Sequence, residues 1–371
     1  MGGIYMFKLL RLGIYTASVL VLALLFACEG DTGPQGPQGD PGEPGEPGED
    51  LAAGVPEDFY FSVALFNEDD GTASNYRAKD FVRVTFDTLQ EADASTVVGV
   101  KLDTPPRLDG EDGDIDEWSP NDELYESDVV LESIVGVDNE ISQIQVRAAY
   151  DAEFIYMFFM WTEDWVVNDI DTVYEISENR HPEEWFYRFD GSEGDFNQEG
   201  VEDRLWVMFI TGDYVPTESD NLLEGGLGTA SFGSDVRIDV WDWRAGATDL
   251  VGFADDAYMV YSGGSLGAIT GDVGGSCYME NNNNGEPIWM HFHDPNYDAD
   301  YPFWLRDAVM LADTSSFTSS ATIPGYVSLV PYGDRGQVFS GSSYFILAGL
   351  EKWAVELKRI RRTGSGNDRQ F

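Results

Sequence analysis

Residues 144–161 read IQVRAAYDAEFIYMFFMW, and this stretch decides the fold class. Every second position from Ile144 to Tyr150 is apolar, which is the period of a β-strand with one face against a core. Residues 151–153 (DAE) then turn the chain. The run from Phe154 to Trp161 is almost wholly apolar, as in a strand that is buried on both faces. The stretch therefore predicts two consecutive strands inside a β-protein.

The same patterns recur on either side of this stretch. Every second position is apolar from Phe59 to Leu65 and from Val82 to Phe86, and the run from Leu205 to Ile210 resembles the second predicted strand. Clusters of Gly, Asn, Asp and Ser separate these segments, and no long segment has a helical stripe of apolar residues. We expect an all-β fold over residues 57–371, an antiparallel β-sandwich with long acidic loops.

The composition is strongly acidic. The chain has 21 Lys and Arg against 68 Asp and Glu, and its formal net charge is −47 at pH 7. This charge argues against nucleic acid as a partner, because phosphates are bound by basic surfaces. The content of hydrophobic residues (43%) and aromatic residues (13%) argues against a disordered acidic chain.

The N-terminus resembles a bacterial lipoprotein signal. Lys8 and Arg11 precede an apolar stretch that ends in LFAC at residues 25–28. Residues 1–27 are predicted to be a signal peptide, with cleavage before Cys28 and attachment of lipid to its thiol; an uncleaved membrane anchor is the alternative. Either arrangement predicts a bacterial cell-envelope protein held at a membrane, on its periplasmic or surface side. Cys277 would then have no intrachain partner for a disulfide.

A collagen-like segment follows. Glycine occupies every third position from Gly30 to Gly48, which gives seven Gly-X-Y triplets. Only glycine fits at the axis of a collagen triple helix, so the period has a steric cause. Residues 28–56 are predicted to form a spacer, either a homotrimeric collagen-like stem or an extended polyproline-II stalk.

Five groups of short blocks occur in a recognisable order from residue 105 to the last residue. They read PRLDG at 106–110 and DEW at 116–118; VRAAYD at 146–151 and WTED at 161–164; EDRL at 202–205 and DVWDWRA at 239–245; NNNGEP at 282–287; and IPGY at 323–326, WAVELKR at 353–359 and DRQF at 368–371. This set resembles the ethylbenzene dehydrogenase-related, or cytochrome c-552/DMSO reductase-like, haem-binding domain family. The resemblance implies a sandwich similar to family 9 carbohydrate-binding modules.

The resemblance also implies a cofactor and a role. Related subunits of molybdoenzymes hold haem b between a Met thioether and a Lys amine, and burial favours the neutral amine that such ligation needs. Met259 and Lys358 are the candidate ligands here, with Trp243 beside the site. Arg244 could pair with a haem propionate or with Asp242. The implied function is non-catalytic electron transfer with a periplasmic or surface redox partner.

Other residues leave alternatives open. Ten tryptophans could include a sugar-stacking platform, which would make the domain a carbohydrate-binding surface module without haem. His291 and His293, with Asp294, could bind a transition metal or ligate haem. The acidic loop Asp109, Asp112, Asp114 and Asp116 suits Ca²⁺, although it lacks the glycine of an EF-hand. We find no hydrolase triad order, phosphate loop or metalloprotease motif, and we expect no enzymatic activity.

Overall fold

The computed structural model describes residues 54–69, 72–87, 92–110, 127–135, 141–166, 186–190, 195–199, 202–224, 226–291, 303–311, 322–347 and 350–371. The predicted signal peptide, Cys28 and the collagen-like triplets lie outside the described residues, and these predictions stay open. In the described part, the three helices are short 3₁₀ turns at Asp249–Val251, Leu305–Asp307 and Asp334–Gly336. None of these short helices within the described residues has the length and hydropathy of a membrane-spanning segment.

The described chain is built from strands. The first are β1 Phe59–Asp69, β2 Thr72–Ala78, β3 Val82–Thr85, β4 Thr96–Val98, β5 Val100–Lys101, β6 Ser127–Val135, β7 Gln143–Tyr150, β8 Phe154–Val166, β9 Phe186–Asp190, β10 Asp195–Glu199, β11 Arg204–Ile210, β12 Asn221–Leu222, β13 Ala230–Ser231 and β14 Val236–Arg244. The others are β15 Asp255–Ser262, β16 Ser265–Leu266, β17 Thr270–Gly271, β18 Gly274–Gly275, β19 Tyr278–Glu280, β20 Trp289–His291, β21 Phe303–Trp304, β22 Ala308–Met310, β23 Thr322–Pro324, β24 Tyr326–Ser328, β25 Tyr332–Gly333, β26 Val338–Leu347 and β27 Leu350–Ile360.

Most of the long strands form two antiparallel layers. Sheet A has the order β16-β15-β14-β11-β1-β2, and sheet B has the order β7-β8-β27-β26. Strand β6 belongs to both layers, because Ser127–Val130 pair with β7 and Leu131–Val135 pair with β2. Short strands extend the layers: β3 and β17 pair with β1 and β15, and β5 pairs with β7 in parallel.

The main core lies between the two sheets. The period of two turns Phe61 of β1 toward sheet B, where its ring centroid lies 6.4 Å from that of Phe159 on β8. The ring centroid of Trp243 on β14 likewise lies 5.1 Å from that of Trp353 on β27. Burial of each such side chain contributes about 1.5–3 kcal/mol or more. The predicted all-β sandwich is confirmed.

Each sheet also carries an apolar cluster on its outward face. On sheet A this cluster includes Met208, Val240 and Met259, covered by residues such as Leu222 and Phe232 from the connection between β11 and β14. On sheet B the outward cluster consists of Ala149, Tyr156, Phe158, Met160, Phe345 and Ala354. Strands β8 and β11 are therefore buried on both faces, as their uninterrupted apolar runs predicted.

Residues 106–110 cover part of the outward face of sheet B. The Glu356 carboxylate on β27 accepts hydrogen bonds from the backbone N–H groups of Asp109 and Gly110, both at 2.8 Å. The Ser343 hydroxyl on β26 donates to the carbonyl of Gly110. Gly341 lies directly opposite Glu356 in the ladder, where a side chain would overlap the backbone of Leu108. Glycine is required here because the two backbones approach so closely.

Candidate functional site

Met259 and Lys358 lie on different layers of the sandwich. Met259 is 2% exposed on the outward face of sheet A, directly opposite Ile238 in the ladder. Lys358 lies on the outward face of sheet B, with its ammonium 5.1 Å from the ring centroid of Phe154 and 5.4 Å from that of Phe339. The core separates the two outward faces. The structure therefore does not bring together the two ligands that the sequence suggested.

Trp243 and Arg244 are consecutive in β14 and so point to opposite faces. Trp243 is fully buried in the core, 6.1 Å from the ring of Trp161, and its indole N–H donates to Asp249 at 3.1 Å. It supports the sandwich from inside. Arg244 instead extends from the end of β14 into a polar network on the outward side of sheet A.

Arg244 is surrounded by acids and phenols. Its Nε donates to Asp242 at 3.2 Å and its Nη1 donates to the Tyr326 hydroxyl at 3.2 Å. Nη1 also lies 3.7 Å from the Glu202 carboxylate, and the guanidinium lies 4.9 Å from the ring centroid of Tyr278. Two roles were predicted for Arg244, and the contacts of the described residues include one of them, the pairing with Asp242.

The pKa values of two buried carboxylates in this network, Glu202 and Asp242, shift in opposite directions. Burial raises the pKa of Glu202 although Arg244 opposes the shift. Burial alone would also raise the pKa of Asp242, but Arg204 and Arg244 lower it below its ordinary value. Glu202 accepts from the N–H groups of Gly246 and Ala247, at 3.1 and 2.7 Å, so it fixes the turn after β14. Every charged group of the network thus has a partner within it, and the network holds the end of β14 against Tyr326.

A second Met and Lys share one face. On the outward side of sheet B, Ala354 pairs with Met160 and Lys352 pairs with Thr162, so Met160 and Lys352 are diagonal neighbours. Such neighbours are separated by ~7–8 Å. Met160 is 7% exposed within the apolar cluster, Lys352 is half-buried, and the buried Phe345 is the direct partner of Lys352.

This pair fits the donor types implied for haem b, a thioether and an amine on an apolar surface. Sequence reasoning missed Met160 and Lys352 because their proximity depends on the register of β8 against β27. The uninterrupted apolar run that contains Met160 was the available signal.

The other sequence candidates are only partly described. His291 ends β20, half-buried, with its ring centroid 6.0 Å from that of Phe303, whereas His293 and Asp294 lie outside the described residues. Asp109 belongs to the segment held by Glu356, and the other three acids of its loop lie outside the described residues. The predicted transition-metal and Ca²⁺ sites there stay predictions.

Five described tryptophans belong to the buried clusters: Trp161, Trp206, Trp241, Trp243 and Trp353. Trp289 and Trp304 remain half-buried, and the guanidinium of Arg306 lies 5.7 Å from the ring centroid of Trp304. Because those five side chains are buried, Trp289 and Trp304 are the candidates for stacking on a ligand among the tryptophans whose side chains the structure describes.

Comparison with known proteins adds one finding. A sequence-family model described as ethylbenzene dehydrogenase matches residues 100–371. The match begins at β5 and includes all of sheet B and the strands β11, β14 and β15 of sheet A. Among curated proteins the chain has no match.

Proposed function

Because the chain belongs to the ethylbenzene dehydrogenase family, as its ordered blocks predicted, we propose that it is a non-catalytic domain that binds haem b and transfers electrons. The proposal includes display outside the cytoplasm on a lipid anchor at Cys28, where a periplasmic or surface redox partner would exchange electrons with it. The family match extends over most of the sandwich, including both outward faces on which a cofactor could lie.

The observation that carries the proposal is the shared face of Met160 and Lys352. Met160 would present its sulfur and Lys352 its amine from neighbouring strands. The apolar side chains of the outward cluster would exclude water from the cofactor. When bound, haem supplies reversible one-electron chemistry at its iron.

Haem titration of the purified protein tests this function. We expect a Soret band distinct from that of free haem, which shifts when dithionite is added. Met160→Leu and Lys352→Met should change the position of the band or abolish it. Met259→Leu and Lys358→Met are matched controls and should leave the Soret band unchanged, because neither residue belongs to the proposed pair of ligands.

Two results would count against the proposal at different levels. A protein that leaves the spectrum of free haem unchanged would refute haem binding. Haem binding that is equally strong in all four variants, with the same spectrum, would refute the Met160 and Lys352 assignment while leaving the function.

A carbohydrate-binding module on the same sandwich is the second candidate. It is favoured by Trp304, which stays half-buried beside Arg306 while most described tryptophans are in the clusters. Aromatic rings that remain partly exposed can stack on sugars. Binding to a glycan array that Trp304→Ala abolishes, in a protein that takes up no haem, would select this function. Trp243→Phe would not serve as a control, because Trp243 is part of the core.

A further inference from the structure

A cluster of four aspartates surrounds one arginine at an end of the core. Asp239 and Asp256 come from β14 and β15, Asp272 follows β17, Asp368 lies in the C-terminal segment, and Arg359 is in β27. Each of the five residues is at most 5% exposed. No part of the proposed haem face is included, since Asp239, Asp256 and Arg359 point to the inner side of their sheets and the haem face is the outward side of sheet B.

The charges of this cluster do not balance. The Arg359 guanidinium lies 2.5 Å from Asp239, 3.2 Å from Asp256 and 3.9 Å from Asp368. Four ionised carboxylates against this one guanidinium would leave an excess of three negative charges. Burial of unpaired charge is costly, so such a cluster requires protons or a cation.

Arg369 is near the cluster, and the Asp239 charge acts on its guanidinium. That guanidinium donates hydrogen bonds to the carbonyl oxygens of Gly212 and Asp58 rather than to a carboxylate of the cluster. The backbone N–H of Arg369 donates to Asp239 at 2.7 Å. The hydrogen bond that Arg369 donates to the cluster therefore comes from the main chain.

Several buried carboxylate oxygens in the cluster have no hydrogen-bond donor. They are both oxygens of Asp368, Oδ2 of Asp272 and Oδ1 of Asp239. Asp272 accepts one bond, from the Asn367 amide at 2.5 Å, through its other oxygen. Buried acceptors normally have partners, so these unsatisfied oxygens point to an electropositive ligand among them.

The spacing of the oxygens suits one ion. One oxygen from each of Asp256, Asp272 and Asp368 lies within 4.8 Å of the other two. Two oxygens that share one Ca²⁺ ion at 2.3–2.6 Å lie at most about twice that distance apart, and all three pairs meet this condition. Burial and the nearby Asp368 and Asp239 together raise the pKa of Asp272 to about 7, although the hydrogen bond from Asn367 opposes the shift.

We propose that Asp256, Asp272 and Asp368 form a Ca²⁺ site that ties the C-terminal segment to sheet A. Ca²⁺ accepts six to eight oxygen ligands in irregular geometry, whereas Mg²⁺ demands a regular octahedron. The ion would cut the excess negative charge from three to one. It would also hold the segment whose Phe371 packs at 4.8 Å on Phe59 and at 5.4 Å on Phe209.

Calorimetry and thermal unfolding of the full protein test this site, after dialysis against EDTA. We expect one Ca²⁺ per chain and a melting temperature that is higher in CaCl₂ than in EDTA. Asp368→Asn and Asp272→Asn should each weaken Ca²⁺ binding at least tenfold. Asp235→Asn is the control, since Asp235 is exposed and bonds to Ser262, and it should bind Ca²⁺ as the unmodified protein does.

The unmodified protein alone already decides the proposal, whether or not the variants fold. Equal melting temperatures in EDTA and in CaCl₂, with no heat of binding, would overturn it and leave protons as the balancing charge. Ca²⁺ binding that folded Asp368→Asn and Asp272→Asn variants retain at full strength would overturn it as well, because the ion would then be elsewhere.

Discussion

Replacement of Asp242 by Asn removes the carboxylate that joins the two arginines on the outward side of sheet A. Asp242 accepts two hydrogen bonds from Arg204, both at 2.5 Å, one from Arg244 at 3.2 Å and one from the Trp206 indole at 3.0 Å. In the variant, an amide NH₂ would face a guanidinium in place of one oxygen. Donors would then oppose donors in a buried site.

The magnitude follows from the burial of the three charged groups. Loss of one partner from a fully buried ion pair costs about 3–5 kcal/mol. The side chains of Arg204 and Arg244 keep 20% and 14% of their exposure, so water partly compensates them. We therefore expect Asp242→Asn to lower the free energy of unfolding by about 3 kcal/mol at pH 7.

The effect depends on pH in a defined direction. Because the arginines lower the pKa of Asp242 in the folded protein, its ionised form contributes stability above the unfolded pKa of about 3.9. That contribution is lost as the pH falls through the lower pKa of the folded state. The difference between the unmodified protein and Asp242→Asn should therefore shrink in strongly acidic solution.

Urea unfolding followed by tryptophan fluorescence measures this difference at pH 7 and at about pH 2.5. Asp235→Asn is the control for the chemical change itself, because Asp235 is exposed. A loss below about 1 kcal/mol at pH 7, or a difference that is unchanged at low pH, would refute the role assigned to Asp242.

Two further predictions concern a close backbone contact and a buried thiol. Gly341→Ala should lower the free energy of unfolding by about 1–3 kcal/mol, because the added Cβ would overlap the Leu108 backbone. Gly228→Ala is the control and should change this free energy little, because there is free space around Gly228. Equal melting temperatures for the two variants would contradict the close contact. Cys277 is fully buried, and burial raises the pKa of its thiol. A thiol reagent should therefore modify Cys277 slowly in buffer and rapidly in urea. Complete modification of the native protein within seconds would contradict its burial.

The strands could be predicted from the sequence because their signals are local. The run from Phe154 to Trp161 supplies apolar residues to the core and to the outward cluster at alternate positions, which is what a doubly buried strand requires. The family was also accessible, since its blocks are contiguous in the chain. These features depend on residues close to one another in sequence.

The sites depend on pairings that local patterns do not encode. Periodicity indicates that Met259 and Lys358 face away from the core, but it does not say which sheet carries each residue. The position of Arg359 was predictable: it is in phase with Trp353 and Leu357 along the strand, so its charged side chain has to point toward the core. Its acidic partners come from distant segments and had no local signature.

The order of strands in sheet B has a consequence for synthesis. Strand β8 lies between β7 and β27, yet β8 ends at Val166 and β27 begins only at Leu350. A ribosome adds roughly 5–20 residues per second, so one edge of this very apolar strand waits on the order of ten seconds or more for its neighbour. During that interval this edge of β8 lacks its partner strand, and its unpaired backbone groups are free to pair with those of other molecules.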